Sequence, residues 1–243
     1  MELYENKFIY VINHCLNSID GERIEIFEII KENNDVINLN YIKSIKLPEQ
    51  FLSATNGIAV VTEDDFFFST SFGIHPPATD KANFFNKKMP LFAVAAGFLL
   101  NLKLTYLYHY KNGIITKVGE SKSGFNNGVA YDKMNRLIFL AQSIDKNIRV
   151  FKYEENGDIK FIKDIYLGYA LDNVNFDEKN RILNAGIIGF GGYGGLALIY
   201  PDKNFDIEIS FYDFIDVQLS SALKINDKIY IVTPMKNHLL LCE

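Results

Sequence analysis

The chain has 243 residues, 48% of them hydrophobic and 23% charged, the balance of a globular protein with enough apolar material for a buried core. Its formal net charge is −5, and acidic and basic residues are scattered along it without a basic block. It therefore lacks the positive stripe that a nucleic-acid-binding protein needs for phosphate groups. The 20 Phe and 14 Tyr residues favour β-strands over helices.

The amino terminus lacks the features of a secretory signal, because it begins with an acidic stretch and only residues 8–12 form an apolar run. The longest apolar run, residues 91–100, is too short to cross a bilayer core of about 30 Å. The sequence therefore gives no sign of export, and the localisation stays open.

Short runs of alternating apolar and polar residues follow one another along the chain, with turn residues between them. Turn signals fall at Asn112-Gly113, at residues 156–158 and at Asn226-Asp227. Residues 80–100 have a polar first half and an apolar second half, which predicts an inserted surface helix. The predicted strands cover residues 8–13, 23–30, 57–62, 104–110, 137–143, 148–153, 159–167, 207–214 and 228–233.

A weak internal repeat organises these strands. Asn56, Asn127, Asn173 and Ser221 each begin a block of strands, and the last three are separated by roughly 40–50 residues. The interval from Asn56 to Asn127 is longer because it contains the predicted helix. Such a period, with about four strands per unit, is typical of a β-propeller. We therefore predict one all-β domain over residues 1–243, with about four blades and a remnant before Asn56.

The residues that begin successive repeats predict a metal site. The first strand of each propeller blade lines the central axis, so Asn56, Asn127, Asp172 and Asn173 can converge there. Three carboxamide oxygens and one carboxylate form the hard ligand set that suits Ca²⁺, whereas the dispersed histidines and two distant cysteines do not suggest zinc. Asn-Gly pairs are also common hairpin turns, so an alternative interpretation is that these residues only shape turns.

Five segments are similar to the paraoxonase/arylesterase family, in the family's order and at similar spacing. They are Tyr-Val-Ile-Asn-His at 10–14, Gly-Ile-Ala-Val at 57–60, Phe-Asn-Asn-Gly-Val at 125–129, Leu-Asp-Asn-Val at 171–174 and Leu-Cys-Glu at 241–243. The resemblance implies a six-bladed β-propeller with calcium in its central tunnel, which hydrolyses aryl esters and lactones. Members of this family are typically secreted or membrane-associated.

The resemblance also implies roles for individual residues. Asn56, Asn127, Asp172 and Asn173 match ligands of the family's catalytic calcium, and His14 matches the second histidine of its proposed catalytic dyad. The segment 80–100 resembles the helix that covers the active site and contacts lipoprotein or membrane surfaces. Cys242 matches a cysteine that the family pairs with one near its amino terminus. In this chain we interpret Cys15 and Cys242 as two free thiols, and the alternative is a pair between them that closes the ring of blades.

Several departures from the family pattern bear on activity. Family members begin well before this chain does, and the missing part would supply a further carboxylate ligand, the first histidine of the dyad and the partner of Cys242. Gly57 stands where an acid would bind a second, structural calcium. Ser69-Thr70-Ser71-Phe72 replaces a Thr-Asn-Asp-His run, and Ile187 stands where a histidine is expected.

Three hypotheses follow from this pattern. The chain is a calcium-dependent esterase or lactonase with His14 as its base (His75, beside the predicted helix, is the alternative base). Alternatively, it is a catalytically silent propeller that calcium stabilises as a binding module. A third hypothesis is an incomplete gene model of a full-length enzyme. The expected partner is a small-molecule ester or lactone, and incomplete blades also predict self-association through residues 238–242.

Overall fold

The computed structural model describes residues 1–14, 22–33, 35–48, 55–71, 100, 102–177, 179, 181–188, 193–212, 219–226, 228–233 and 239–242. Within them the elements are nineteen β-strands and one 3₁₀ helix, Pro201–Lys203. The helix predicted over residues 80–100 lies, apart from Leu100, outside the described residues. In the described part of the chain, no helix has the length and apolar character needed to span a membrane.

The chain divides into two compact units, of which the first is Met1–Gly124. It contains two four-stranded antiparallel sheets whose strands pair in the order of the sequence. Sheet 1 consists of β1 (Glu2–Tyr4), β2 (Phe8–Asn13), β3 (Arg23–Glu32) and β4 (Asp35–Lys46). Sheet 2 consists of β5 (Thr55–Thr62), β6 (Asp65–Thr70), β7 (Thr105–Lys111) and β8 (Ile114–Ser123).

The second unit, Phe125–Glu243, contains three further antiparallel sheets in sequence order. Sheet 3 consists of β9 (Asn126–Asp132), β10 (Leu137–Gln142), β11 (Asn147–Tyr153) and β12 (Ile159–Tyr166). Sheet 4 consists of β13 (Ala170–Phe176), β14 (Ile182–Ile188), β15 (Tyr193–Tyr200) and β16 (Asp206–Tyr212). Sheet 5 has three described strands, β17 (Ser221–Ile225), β18 (Lys228–Val232) and β19 (Leu239–Cys242).

The repeat-opening residues lie where the sequence predicts them. Asn56, Asn127, Asn173 and Ser221 lie in β5, β9, β13 and β17, each the first strand of its sheet. The predicted remnant before Asn56 is instead a complete four-stranded sheet, so the described residues form five sheets and six blades are not confirmed. β1 and β4 complete sheet 1. Neither strand was predicted from the sequence, because β1 is very short and β4 is largely exposed.

The core of the first unit forms where sheets 1 and 2 face each other. Tyr10 and Ile24 of sheet 1 and Phe66 and Phe68 of sheet 2 are buried in one apolar cluster. Across β6 and β7, aromatic rings stack in directly opposed pairs, Phe66 with Tyr110, Phe68 with Tyr108 and Phe67 with the imidazole of His109. Cross-strand pairs of this kind stabilise an antiparallel sheet and fix its register.

The second unit has its apolar clusters between successive sheets. One cluster joins sheets 3 and 4 and includes Phe139, Val150, Ile182 and Tyr169, and another joins sheets 4 and 5 through residues such as Leu196 and Ile231. The Tyr169 ring lies against Gly195 of β15, where an added Cβ would come within 2.7 Å of its Cγ. Its hydroxyl donates to Oδ1 of Asn184 at 2.9 Å, so a buried tyrosine is satisfied inside the core.

Candidate active site

The first strands of the second unit bring three predicted calcium ligands together. β9, β13 and β17 lie side by side, and the backbone N–H of Asn173 donates to the carbonyl of Ser220 at 3.0 Å. β9 approaches β13 so closely at Gly128 that an added Cβ would lie 2.7 Å from the Cα of Asn173. Only glycine permits this approach without a shift of the backbone, so the Asn127-Gly128 pair has a packing role within a strand and does not form a turn.

Asp172 supplies the carboxylate of this cluster. Burial raises the pKa of Asp172 to about 6, and hydrogen bonds from the side chains of Ser220 and Asn127 act in the opposite direction. Asp172 is half-buried. A carboxylate that is partly removed from water is costly when it is charged, and a cation bound beside it would reduce that cost. The environment of Asp172 therefore fits a site for a positive ion.

The two asparagines hold this carboxylate in place. Nδ2 of Asn173 donates to Oδ1 of Asp172 at 3.1 Å, and it also contacts the carbonyl oxygen and Oγ of Ser220 at 3.1 and 3.2 Å. Asn127 is buried, and its Nδ2 lies 3.4 Å from Oγ of Ser143 and 3.5 Å from the carbonyl of Leu171. Both amide nitrogens thus act as donors to the protein, which leaves the amide oxygens as the groups suited to a metal ion.

The first unit contains a second polar network, around His14 at the end of β2. Nδ1 of His14 forms a hydrogen bond with Oε1 of Glu22, a residue that is 1% exposed. Oε2 of Glu22 accepts hydrogen bonds from Oγ1 of Thr55 at 2.7 Å and from its backbone N–H at 3.2 Å. Asn56, the fourth predicted ligand, is the next residue of β5 and is half-buried.

The predicted site residues are therefore divided between the two units. Asn127, Asp172 and Asn173 form one cluster in the second unit, whereas Asn56 and His14 belong to the first. Glu22 and the roles of Ser143 and Ser220 were not predicted from the sequence. Ser220 carried a signal, because it precedes the residue that begins the last repeat, whereas nothing in the sequence around Glu22 marks it as buried.

The donor set fits calcium better than a transition metal. Among the described residues, no group of three or more His, Cys, Asp or Glu side chains could hold a metal ion. The cluster instead offers one carboxylate with carboxamide oxygens, and hard oxygen ligands of this kind suit Ca²⁺. The residues present therefore fit a calcium site in which only one ligand is negatively charged.

The arrangement of sheets is shared with solved structures of β-propeller proteins. Virginiamycin B lyase from Staphylococcus aureus superimposes with a TM-score of 0.57 at 11% sequence identity, over 99% of this chain and 68% of that one. At this identity the likeness shows the fold alone. The chain is thus an all-β protein of the β-propeller class, as the repeat predicts.

Sequence comparison identifies the family within that class. The model of the Arylesterase family matches residues 2–187, and the chain belongs to this family. Serum paraoxonase/lactonase 3 of Homo sapiens is 25% identical over 179 residues, 74% of this chain and 44% of the relative. Serum paraoxonase/arylesterase 2 of Bos taurus is 23% identical over 199 residues, 81% of this chain and 48% of the relative. The chain therefore spans less than half the length of these relatives, and the resemblance found in the sequence is confirmed.

Proposed function

We propose that this chain hydrolyses aryl esters and lactones in a calcium-dependent reaction. The observation that carries the proposal is the cluster of Asn127, Asp172 and Asn173 in a chain of the Arylesterase family. The names of its relatives describe lactonases and arylesterases, which supports carboxylic esters as the substrate class.

Asn127, Asp172 and Asn173 are the proposed calcium ligands of the second unit, and Asn56 is proposed as a ligand from the sequence repeat and the family resemblance alone. When bound, Ca²⁺ would act as a Lewis acid that polarises the substrate carbonyl and stabilises the oxyanion. Asp172 supplies the negative charge of the site, and its hydrogen bonds with Asn127 and Asn173 keep it oriented before any ion arrives. This preorganisation limits the reorganisation that binding requires.

His14 is the proposed general base. Its side chain is 47% exposed, so a water molecule can reach the ring. The imidazole accepts a proton from water as the water oxygen attacks the carbonyl carbon, and the alcohol oxygen of the ester or lactone leaves when its bond to that carbon breaks. Returning the proton to the leaving oxygen restores neutral imidazole and completes the hydrolysis.

A substrate panel tests this function. We expect hydrolysis of aryl acetates and of γ- and δ-lactones in the presence of calcium, and none of phosphomonoesters or peptides. Asp172→Asn should lower the ester rate by about 100-fold or more, as expected for a loss of several kcal/mol of transition-state stabilisation. The matched control is Asp206→Asn, an exposed residue of β16 that should leave the rate unchanged.

Two results would contradict the proposal. Inert esters and lactones with calcium bound would identify the chain as a catalytically silent binding module. Equal losses in Asp172→Asn and Asp206→Asn would show that Asp172 has no special role.

Two further interactions are proposed on the basis of the sequence. Lipid or membrane-surface contact is assigned to residues 80–100, of which residues 80–99 lie outside the described part of the chain. Self-association is assigned to the carboxyl-terminal strand, where Leu239 and Leu241 are exposed in β19.

A further inference from the structure

A buried carboxylate connects two separate strands of the first unit. The Glu22 side chain is almost completely inaccessible to solvent. The backbone carbonyl oxygen of Glu22 accepts a hydrogen bond from the backbone N–H of Leu47 at 2.9 Å. One carboxylate oxygen bonds to Nδ1 of His14, and the other accepts hydrogen bonds from both the backbone N–H and Oγ1 of Thr55. Glu22 therefore links the end of β2 with the first residue of β5.

The cost of burying a carboxylate explains why all these donors are present. A carboxylate without hydrogen-bond partners is strongly unfavourable inside a protein, so each donor around Glu22 stabilises the fold. An ionised carboxylate can only accept hydrogen bonds. With Glu22 ionised, Nδ1 of His14 is therefore the atom that carries the proton of their hydrogen bond.

The position of that proton determines what His14 can do. In a neutral imidazole one nitrogen donates and the other accepts, and the partner of the first nitrogen selects the tautomer. With the proton on Nδ1, the lone pair lies on Nε2. Nε2 is then the atom that can take a proton from water.

We infer that Glu22 is the positioning residue of His14: it fixes the Nδ1–H tautomer and holds the ring so that Nε2 serves as the base. The catalytic part of this inference rests on the proposed function, whereas the tautomer does not. Through Thr55, the same carboxylate also anchors the backbone beside Asn56. Glu22 thus contacts His14 and holds the residue next to Asn56, which are the two residues of the first unit with proposed roles.

Nitrogen-15 NMR of labelled histidine tests the tautomer directly. The chain has four histidines, and the spectrum of His14→Gln identifies the signals of His14 by their loss. At about pH 8.5, two units above the ordinary imidazole pKa, long-range proton–nitrogen spectra distinguish the two tautomers. We expect the Nδ1–H form for His14 in the wild type. Observation of the Nε2–H form would overturn the inference. Because this test uses the wild-type protein, it does not depend on whether a Glu22 variant folds.

Glu22→Gln provides the second test, because it preserves the shape of the side chain and removes the charge. We expect His14 to lose its preference for the Nδ1–H form in this variant, whereas Glu32→Gln, at an exposed position of β3, leaves the spectrum unchanged. An unaltered tautomer in folded Glu22→Gln would contradict the inference.

Kinetics separate a positioning role from a structural one. In folded Glu22→Gln we expect kcat for ester hydrolysis to fall by about 10²–10⁴-fold, the usual contribution of general base catalysis, with a much smaller change in KM. An unchanged kcat in a variant whose tautomer has changed would show that Glu22 does not act through His14. Wild-type protein that shows the Nδ1–H form but hydrolyses no ester would refute the proposed function and leave the assigned tautomer standing.

Discussion

Asp172 is the single carboxylate among the proposed calcium ligands, so the charge of the site depends on it. We expect wild-type protein to bind Ca²⁺ with modest affinity in calorimetric titration, because the number of charged ligands tunes affinity. Asp172→Ala should abolish the binding heat, whereas the exposed control Asp206→Ala should retain it. Absence of a calcium signal in the wild type, or equal binding by Asp172→Ala, would refute the assignment.

Asp177 follows β13 and holds together the turn that leads to β14. Its Oδ2 pairs with the guanidinium of Arg181 at 2.6 Å, and its Oδ1 accepts the backbone N–H groups of Lys179 and Arg181 at 2.9 and 2.8 Å. Burial alone would raise the pKa of Asp177, but these hydrogen bonds bring it below its ordinary value. We expect Asp177→Asn to lower the free energy of unfolding at neutral pH by about 1–3 kcal/mol.

The effect of Asp177→Asn should depend on pH with a defined sign. A carboxyl whose pKa is depressed by folding stabilises the protein above its unfolded value of about 3.9 and loses this contribution as the pH falls through its folded value. The stability difference between wild type and Asp177→Asn should therefore be constant from pH 6 to about 5 and shrink below about 4. Urea unfolding at several pH values measures it, and a difference that grows on acidification would contradict the account.

Among the individual residues, the repeat predicted Asn127, Asp172 and Asn173 as neighbours, because equivalent positions in successive sheets lie side by side. The partners of these residues were harder to predict. Ser143 follows β10 and meets Leu171 only through the packing of sheet 3 on sheet 4. Glu22 depends on contacts with His14 and with Thr55, which lies far away in the sequence.

The close approach of strands β9 and β13 is the feature that positions the candidate site. We expect Gly128→Ala to cost about 1–3 kcal/mol of stability, because its Cβ would meet backbone atoms of Asn173 and Val174 at 2.7 Å. Calcium affinity should fall as well, since Asn173 must move. Gly119→Ala is the matched control, because nothing lies within 4 Å of its added Cβ. Thermal unfolding and calorimetry would contradict this account if both variants behaved alike.

The elements that the sequence predicted are those with a clear alternation or a clear turn. Asn112-Gly113 joins β7 to β8 with both residues at positive φ, as the dipeptide indicates. β6 was missed because its residues are buried on both faces and show no alternation. β4 was missed for the opposite reason, since apolar side chains such as Val36 and Tyr41 are exposed along it.

The exposed apolar side chains of β19, the third strand of sheet 5, predict that the protein self-associates. Sheets 1 to 4 have four strands each, whereas β19 is the last described strand of sheet 5, with Leu239 63% and Leu241 49% exposed. An apolar edge strand can pair with another chain, and a charge on the edge prevents this. We expect the mass measured by light scattering to rise with concentration. Leu239→Lys should suppress the rise, and Met134→Lys, in an exposed turn, should not.

A monodisperse monomer at every concentration would contradict this prediction. Association that persists unchanged in Leu239→Lys would place the contact elsewhere on the molecule. Both samples are measured with and without reductant, so that disulfides formed by Cys15 or Cys242 are distinguished from strand pairing.

The proposed function, calcium-dependent hydrolysis of carboxylic esters, concerns a chain that spans less than half the length of its relatives. The most direct test follows δ-lactone opening by acid release in a single sample with calcium, after a calcium chelator, and after calcium is restored. In the wild type and in Asp206→Asn, we expect hydrolysis to stop with the chelator and to return in full when calcium is restored. In Asp172→Asn, we expect little hydrolysis at any of the three stages. Hydrolysis that continues undiminished in the chelator, or that never rises above the rate of the buffer, would contradict the proposed function.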